Sequence, residues 1–187
     1  MKPHKEIEVK ILEISKKDMI YKLEQLKAKK VFSGISINEF YEFRQDGGEE
    51  RQFLRLRREI ADDKKTQRTL ITLKRKLEKK TGNSMKAHEE IETEASTYAA
   101  VVLLFAEFGF RKVAEHTKHR LTYLLGGVYY NIDEYEGLPA ILEIESRSEK
   151  SLPAAVKRIG HTMQDTNPYG IRNLFKLYNK EFFNVKP

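Results

Sequence analysis

The sequence predicts an α+β fold built on a closed, eight-stranded antiparallel β-barrel, a tunnel with a charged interior and helices packed outside. Three observations carry that prediction. Alternating apolar and polar stretches, about eight of them, dominate the chain, and only about four segments show helical spacing. The polar face of most stretches carries strong charges in pairs, such as Glu6 with Glu8 and Arg55 with Arg57. The apolar faces need cover, and the helices between the strands can supply it.

Glu6-Ile7-Glu8-Val9-Lys10-Ile11 alternates strictly, so Glu6, Glu8 and Lys10 share one face of a strand. Ser15 is an N-cap for a helix over about 16–29, with Met19, Ile20, Leu23 and Leu26 at helical spacing. Strands follow near 31–44 and 52–60, joined by a polar turn at 45–50 with Gly47-Gly48. In the second of them Arg55 and Arg57 oppose Leu54 and Leu56. Thr72, Lys74 and Lys76 oppose Ile71, Leu73 and Leu77 over about 68–78. A turn at 81–84 leads to a strand over about 86–94, where Glu90 and Glu92 oppose Ile91. Ser96 caps a helix over about 97–108, which Gly109 ends.

Strands near 111–124 and 128–135 flank Gly126-Gly127, a hairpin turn. Lys118, Arg120 and Thr122 share a face in the first, and Asn131 and Asp133 in the second. Gly137-Leu138-Pro139 turns the chain into a strand at about 140–147 with Glu143, Glu145 and Arg147 on one side. Ser151 starts a short helix, and Asn167-Pro168 supplies an N-cap and first residue for a last helix over about 168–180.

For any one strand, a charged face turned to water is the commoner reading. An ordinary wet face mixes in Ser, Thr, Gln and Asn, whereas here acids and bases recur in pairs along the chain. Closing the sheet removes its edges and gathers those charges around one cavity. Charges there are costly unless paired, hydrated or engaged with ions. A ligand that carries both metal ions and several negative charges suits such a cavity.

Composition sets outer bounds. The 187 residues suit one domain over 1–187. Hydrophobic residues make up 40% and charged residues 34%, too apolar for disorder and too charged for a membrane protein. The absence of cysteine excludes disulfides, zinc-thiolate sites, iron–sulfur clusters and cysteine nucleophiles. The N-terminus lacks the apolar core of a signal peptide, so a cytoplasmic location is expected. The longest apolar run, Ala99 to Ala106, is far short of the roughly 20 residues of a spanning helix. A net charge of +7 favours a polyanionic partner. There is no G-x-x-x-x-G-K-[ST] loop and no H-E-x-x-H. His116 and His119 fall on opposite faces of one strand and read as structural, and Tyr129 and Tyr130 read as packing.

The ordered motifs resemble those of the CYTH, or triphosphate tunnel metalloenzyme, superfamily, which includes class IV adenylate cyclases, thiamine triphosphatases and inorganic tripolyphosphatases. Its E-x-E-x-K hallmark is matched by Glu6-Ile7-Glu8-Val9-Lys10, its R-x-R strand by Arg55-Leu56-Arg57 and its basic strand by Thr72-Leu73-Lys74. Glu90-Ile91-Glu92, Lys118-His119-Arg120, and the run from Ile132-Asp133 through Gly137 to Glu143-Ile144-Glu145 match the later motifs. The likeness covers about 5–148, with C-terminal helices at about 151–180 beyond it. The family's S-Y-x-x-L-L-like tail is matched only loosely at 168–175, without the Ser, which leaves Tyr169 and Arg172 without an assigned role.

The resemblance implies a metal-dependent enzyme acting on a triphosphate compound, with Mg²⁺ or Mn²⁺, two ions, as cofactor. Metal ligands would be Glu6, Glu8, Glu143 and Glu145, with Asp133 and Glu92 as further candidates; hard carboxylate oxygens suit these ions. Triphosphate would be gripped by Lys10, Arg55, Arg57, Lys74, Lys76, Lys118 and Arg120, the arginines in bidentate fashion. Glu6, Glu8, Lys10, Glu143 and Glu145 form the implied catalytic set. The expected partner is a small triphosphate-containing molecule, with no membrane and no nucleic acid. Dimers are common among such domains, but no coiled coil or other interface signal is visible in the sequence.

Hydrolysis is the favoured reaction, because it needs only the triphosphate grip. One alternative is a class IV adenylate cyclase, in which the 3′-hydroxyl of ATP attacks the α-phosphorus and pyrophosphate leaves. The other is a nonenzymatic module binding RNA or polyphosphate. The E-x-E pairs argue against that last reading, since bare carboxylates repel phosphates.

Overall fold

A computed structural model of the chain describes residues 3–43, 52–77 and 85–182, with the backbone alone for Phe43, Gln52 and Lys76. The turns expected at 45–50 and 81–84 lie outside the described residues. Eight strands form: β1 (His4–Ile11), β2 (Lys29–Phe43), β3 (Gln52–Ala61), β4 (Gln67–Lys76), β5 (Lys86–Ala95), β6 (Phe110–Leu125), β7 (Val128–Glu134) and β8 (Ile141–Ser146). They close in the order β1-β5-β4-β3-β2-β6-β7-β8, and every neighbouring pair is antiparallel. The helices are α1 (Lys16–Gln25), α2 (Tyr98–Glu107), α3 (Ser151–Arg158) and α4 (Ile171–Leu177), with a 3-10 turn at Met163–Asp165.

Local signals explain most boundaries. Ser15 caps α1, its hydroxyl accepting from the Asp18 amide at 3.4 Å. α1 is shorter than the expected 16–29 because the chain turns at Lys27, which takes a left-handed φ of 57°. Thr97, not Ser96, occupies the N-cap of α2, and its side chain makes no capping bond. Gly126 and Gly127 both have positive φ, 59° and 77°, as a two-residue hairpin turn requires.

Asn167-Pro168 does not start a helix; α4 begins three residues later, after Gly170. β1 pairs with β5 only as far as Glu8, which leaves the Lys10 backbone open on that side. Asn167 fills it: the Lys10 amide donates to the Asn167 carbonyl at 2.9 Å, and the Asn167 amide donates to the Lys10 carbonyl at 2.7 Å. The Asn167 side chain then accepts from the Tyr169 amide at 2.7 Å, a local turn that competes with helix.

The greasy faces point outward, beneath the helices. Ile7, Val9 and Ile11 of β1 join Tyr130, Ile132, Leu142 and Ile144 in a cluster with α1 and α3. Val101 and Phe105 of α2 cover Tyr41 and Leu56, and Leu174 and Phe175 of α4 cover Tyr135 and Ile141. Each such side chain, fully buried, contributes about 1.5–3 kcal/mol. Glu39 also points outward, yet it is buried beneath α2, where it accepts from the hydroxyls of Tyr41 at 3.1 Å and Tyr98 at 2.8 Å. Among the described residues, no helix is long and apolar enough to cross a membrane.

Candidate functional site

Strand register turns one face of every strand into the barrel. Glu8 sits opposite Glu145 and Lys10 opposite Glu143 across β1 and β8. Arg55 sits opposite Thr72, and Thr72 opposite Glu92, across β3, β4 and β5. Arg120 faces Asp133 across β6 and β7. Because partners in a ladder share a face, all of these side chains line the lumen.

The lumen has acidic and basic walls. On β1 and β8, one carboxylate oxygen each from Glu6, Glu8 and Glu145 lies within 4.8 Å of the others. Lys74 reaches across to Glu6 at 2.9 Å and also contacts Glu90. Lys10 bridges Glu8 at 2.9 Å and Glu143 at 2.6 Å, and Lys86 meets Glu8 at 3.0 Å. Arg120 holds Asp133 in a fork of 2.6 and 2.7 Å and donates to Glu143 at 2.6 Å. Lys118 meets Asp133 at 2.7 Å. Arg57 and Arg55 converge on Glu92 at 3.0 and 3.5 Å. Burial of so many ions is tolerable only because nearly every one is matched.

This mutual pairing sets the protonation states. Burial raises the Glu6 carboxyl, but Lys74 outweighs it and holds the group below its usual range. Burial opposes ionisation of Glu8 too, yet Lys10 and Lys86 push it far down. Glu145 goes the other way. Burial, then the charges of Glu6 and Glu143, raise its carboxyl well above the usual range. Crowding of three acids therefore disfavours the ionised form of one of them. Burial, then the charge of Arg120, lowers Lys118, whereas Asp133 and Glu143 hold Arg120 firmly charged against burial.

The donor set fits a hard divalent cation. Three clustered carboxylates, of which Glu145 has only Arg120 at 3.8 Å for a cationic contact among the described residues, are an oxygen-ligand arrangement suited to Mg²⁺ or Mn²⁺. Of the other acids singled out in the sequence, Glu143, Asp133 and Glu92 each accept from lysine or arginine. The Lys76 backbone lies on the same face of β4 as Lys74, and its side chain is outside the described residues.

Sequence reasoning missed several lumen residues. Ser36, Asn38, His88 and His116 are all buried there. The register carries them in: Asn38 lies opposite both Arg57 and His116, and Ser36 opposite Lys118. The alternation Ile35-Ser36-Ile37-Asn38 puts Ser36 and Asn38 on one face and was the available signal, but these side chains carry no charge to mark that face as the lumen. His119, as expected, faces the other way and meets Asp62 at 3.1 Å. Tyr130 packs at 0% exposure as expected, but Tyr129 does not: it stays 44% exposed, opposite Glu145. Tyr169 is 40% exposed and Arg172 lies 5.6 Å from the Phe182 ring.

The two ends of the barrel differ. Near α4, an aromatic chain runs Phe53–Phe40–His116–Tyr135–Phe175, with ring centroids 5.4–5.9 Å apart. At the opposite end, beside the hairpin at Gly126-Gly127, Tyr129 lies on the lumen face of β7. A separate cavity of about 470 Å³ opens where β3, β4 and the start of α2 meet. Its Arg68 is already matched by Glu94 at 3.3 Å and Glu59 at 3.9 Å.

A sequence model described as "CYTH domain" matches residues 4–173. No curated protein sequence matches the chain. Among solved structures, PH1012 of Pyrococcus horikoshii OT3 is 24% identical with a TM-score of 0.70, over 90% of this chain and 98% of its own. A Vibrio parahaemolyticus protein described as a candidate adenylate cyclase is 13% identical with a TM-score of 0.76, over 94% and 99%. HpAC1 from Hippeastrum, described as a candidate adenylyl cyclase with a dominant triphosphatase activity, is 16% identical with a TM-score of 0.58, over 95% and 97%. At these identities the likeness is one of fold.

Proposed function

The chain belongs to the CYTH domain family, and from that premise we propose that it is a divalent-metal-dependent triphosphatase acting on a triphosphate compound inside the barrel. The observation that carries this reading is the cluster of Glu6, Glu8 and Glu145 facing arginine and lysine walls in an enclosed lumen. Glu6, Glu8 and Glu145 would hold Mg²⁺ or Mn²⁺, with Glu143 beside them for a second ion. Bound there, such an ion neutralises phosphate charge and acidifies a water molecule.

The chain's own residues supply grip and alignment. Arg55 and Arg57 exchange Glu92 for phosphate oxygens, which accept the same donors with more charge. Lys74, Lys118 and Arg120 flank the phosphates as further cations. Lys10, held between Glu8 and Glu143, keeps the acidic wall in place and presents its ammonium to the lumen. Water attack on the terminal phosphorus requires charge neutralisation and in-line positioning, so no nucleophilic side chain is needed. Removing one charged contact to the transition state in such a site costs roughly a hundredfold in rate. HpAC1, with its dominant triphosphatase activity on a related fold, is consistent with hydrolysis over cyclisation.

The test is incubation with tripolyphosphate, ATP and thiamine triphosphate in Mg²⁺ or Mn²⁺, with products resolved by ion exchange. Orthophosphate as the main product is expected. Cyclic AMP with pyrophosphate from ATP would transfer the reading to a class IV adenylate cyclase. No product from any of the three would leave a polyphosphate- or RNA-binding module.

A further inference from the structure

Among the described residues, side chains pack across one end of the barrel. The segment after residue 166 crosses the α4 end: Asn167 pairs with Lys10 on β1, Gly170 lies against Lys86 of β5, Phe175 packs edge-to-face with Tyr135, and Phe182 reaches His116 of β6 at 6.2 Å. Phe40 and Phe53 carry the aromatic seal to β2 and β3, and the Phe53 ring meets His88 of β5 at 6.4 Å. Exposure follows suit. The side chains of Lys10 and Glu143, toward α4, are 7% and 9% exposed, whereas Glu6 and Glu92, toward the hairpin end, are 17% and 27% exposed.

Phosphates gripped in the lumen therefore go in first, and whatever they are attached to stays at the hairpin end. One aromatic ring waits there. Tyr129 sits opposite Glu145 on the lumen face of β7, one ladder position from the carboxylate cluster, and it is 44% exposed. Its neighbour Tyr130 turns the other way and is fully buried, with its hydroxyl donating to the Ala155 carbonyl at 3.2 Å. Fold stability thus uses Tyr130 and leaves the Tyr129 ring at the rim.

We propose that Tyr129 is a stacking platform for a flat, aromatic head on the substrate, so that the preferred substrates are triphosphates bearing such a ring and not inorganic tripolyphosphate. This rests on the triphosphatase reading and adds the part of the substrate that the charged walls do not address. An aromatic side chain stacks on any planar ring, and its removal weakens binding of a base by roughly tenfold or more. A nucleobase and the rings of thiamine share that chemistry.

The experiment compares affinities for β,γ-imido-ATP, thiamine triphosphate and tripolyphosphate, each with Mg²⁺, by titration calorimetry on the wild type, Tyr129→Ala and Tyr129→Phe. The wild type should favour a ring-bearing ligand over tripolyphosphate. Tyr129→Ala should cut that ratio about tenfold, and Tyr129→Phe should keep it. A preference shared by both organic ligands supports ring stacking in general, and one confined to imido-ATP supports a nucleobase. An equal ratio in wild type and Tyr129→Ala overturns the inference while leaving the triphosphatase reading standing. Failure of the wild type to bind any of the three overturns that reading as well.

Discussion

Single residues in this lumen are defined by their charged neighbours. The Glu145 carboxyl is pushed well above its usual range because burial and two nearby carboxylates, Glu6 and Glu143, oppose its ionisation. A cation entering the cluster competes with protons for that carboxylate. Mn²⁺ binding is therefore expected to be accompanied by proton release and to weaken as the pH falls, which buffer-dependent calorimetry measures. Glu145→Gln should abolish the proton release and lower turnover by roughly a hundredfold, with an unchanged circular dichroism spectrum. The sealed end gives a second expectation. Burial, then neighbouring lysines, lowers His88 to about 4, and burial with Lys118 and Arg55 lowers His116 to about 3. Unfolded histidines titrate near 6.5, so the unfolded chain binds more protons below that pH. This stability is full above about 6.5 and falls with acid by up to about 1.4 kcal/mol per pH unit for each ring. Urea midpoints between pH 7 and 4 should show the loss, and His116→Phe should shrink it.

Elements behaved as their local signals required, except where a neighbour claimed the same backbone. β1 was legible because Glu6-Ile7-Glu8-Val9-Lys10-Ile11 alternates without interruption, and the hairpin because Gly126-Gly127 accepts positive φ at both positions. Asn167-Pro168 carried a sound helix-start signal and lost to the open Lys10 backbone, a contact 157 positions away in sequence that no local pattern reveals. β2 hides its most constrained position for a similar reason. A Cβ on Gly34 would stand 2.2 Å from the Ile60 carbonyl oxygen of β3, and backbone there has no room to yield. Gly34→Ala is expected to split the β2–β3 ladder and cost about 2 kcal/mol or more, read as a lower melting temperature. A melting temperature equal to wild type would mean that the two strands separate more easily than this packing allows.

For the whole molecule, the closed barrel converts surface-like charges into an enclosed ionic lattice that a ligand can reorganise. Mg²⁺ with tripolyphosphate at about a hundred times its dissociation constant should stabilise the fold by about 2.7 kcal/mol, seen as a raised melting temperature. Glu6→Gln/Glu8→Gln should lose most of that rise, and Arg57→Ala should reduce it by weakening phosphate binding. The alternation of Ile7, Val9, Leu56 and Ile144 with Glu6, Glu8, Arg57 and Glu145 already determined, from the chain alone, that each strand has a greasy and an ionic side, because side chains in a strand must alternate. It also put forward the charged residues from which the candidate site is built. Only the tertiary structure decided which acids cluster, that Ser36, Asn38 and His116 join the lumen, and that aromatic rings pack across one end while Tyr129 remains at the other. Those outcomes depend on register between distant strands and on where the C-terminal segment lies, and both are set by long-range pairing that periodicity within a strand does not encode.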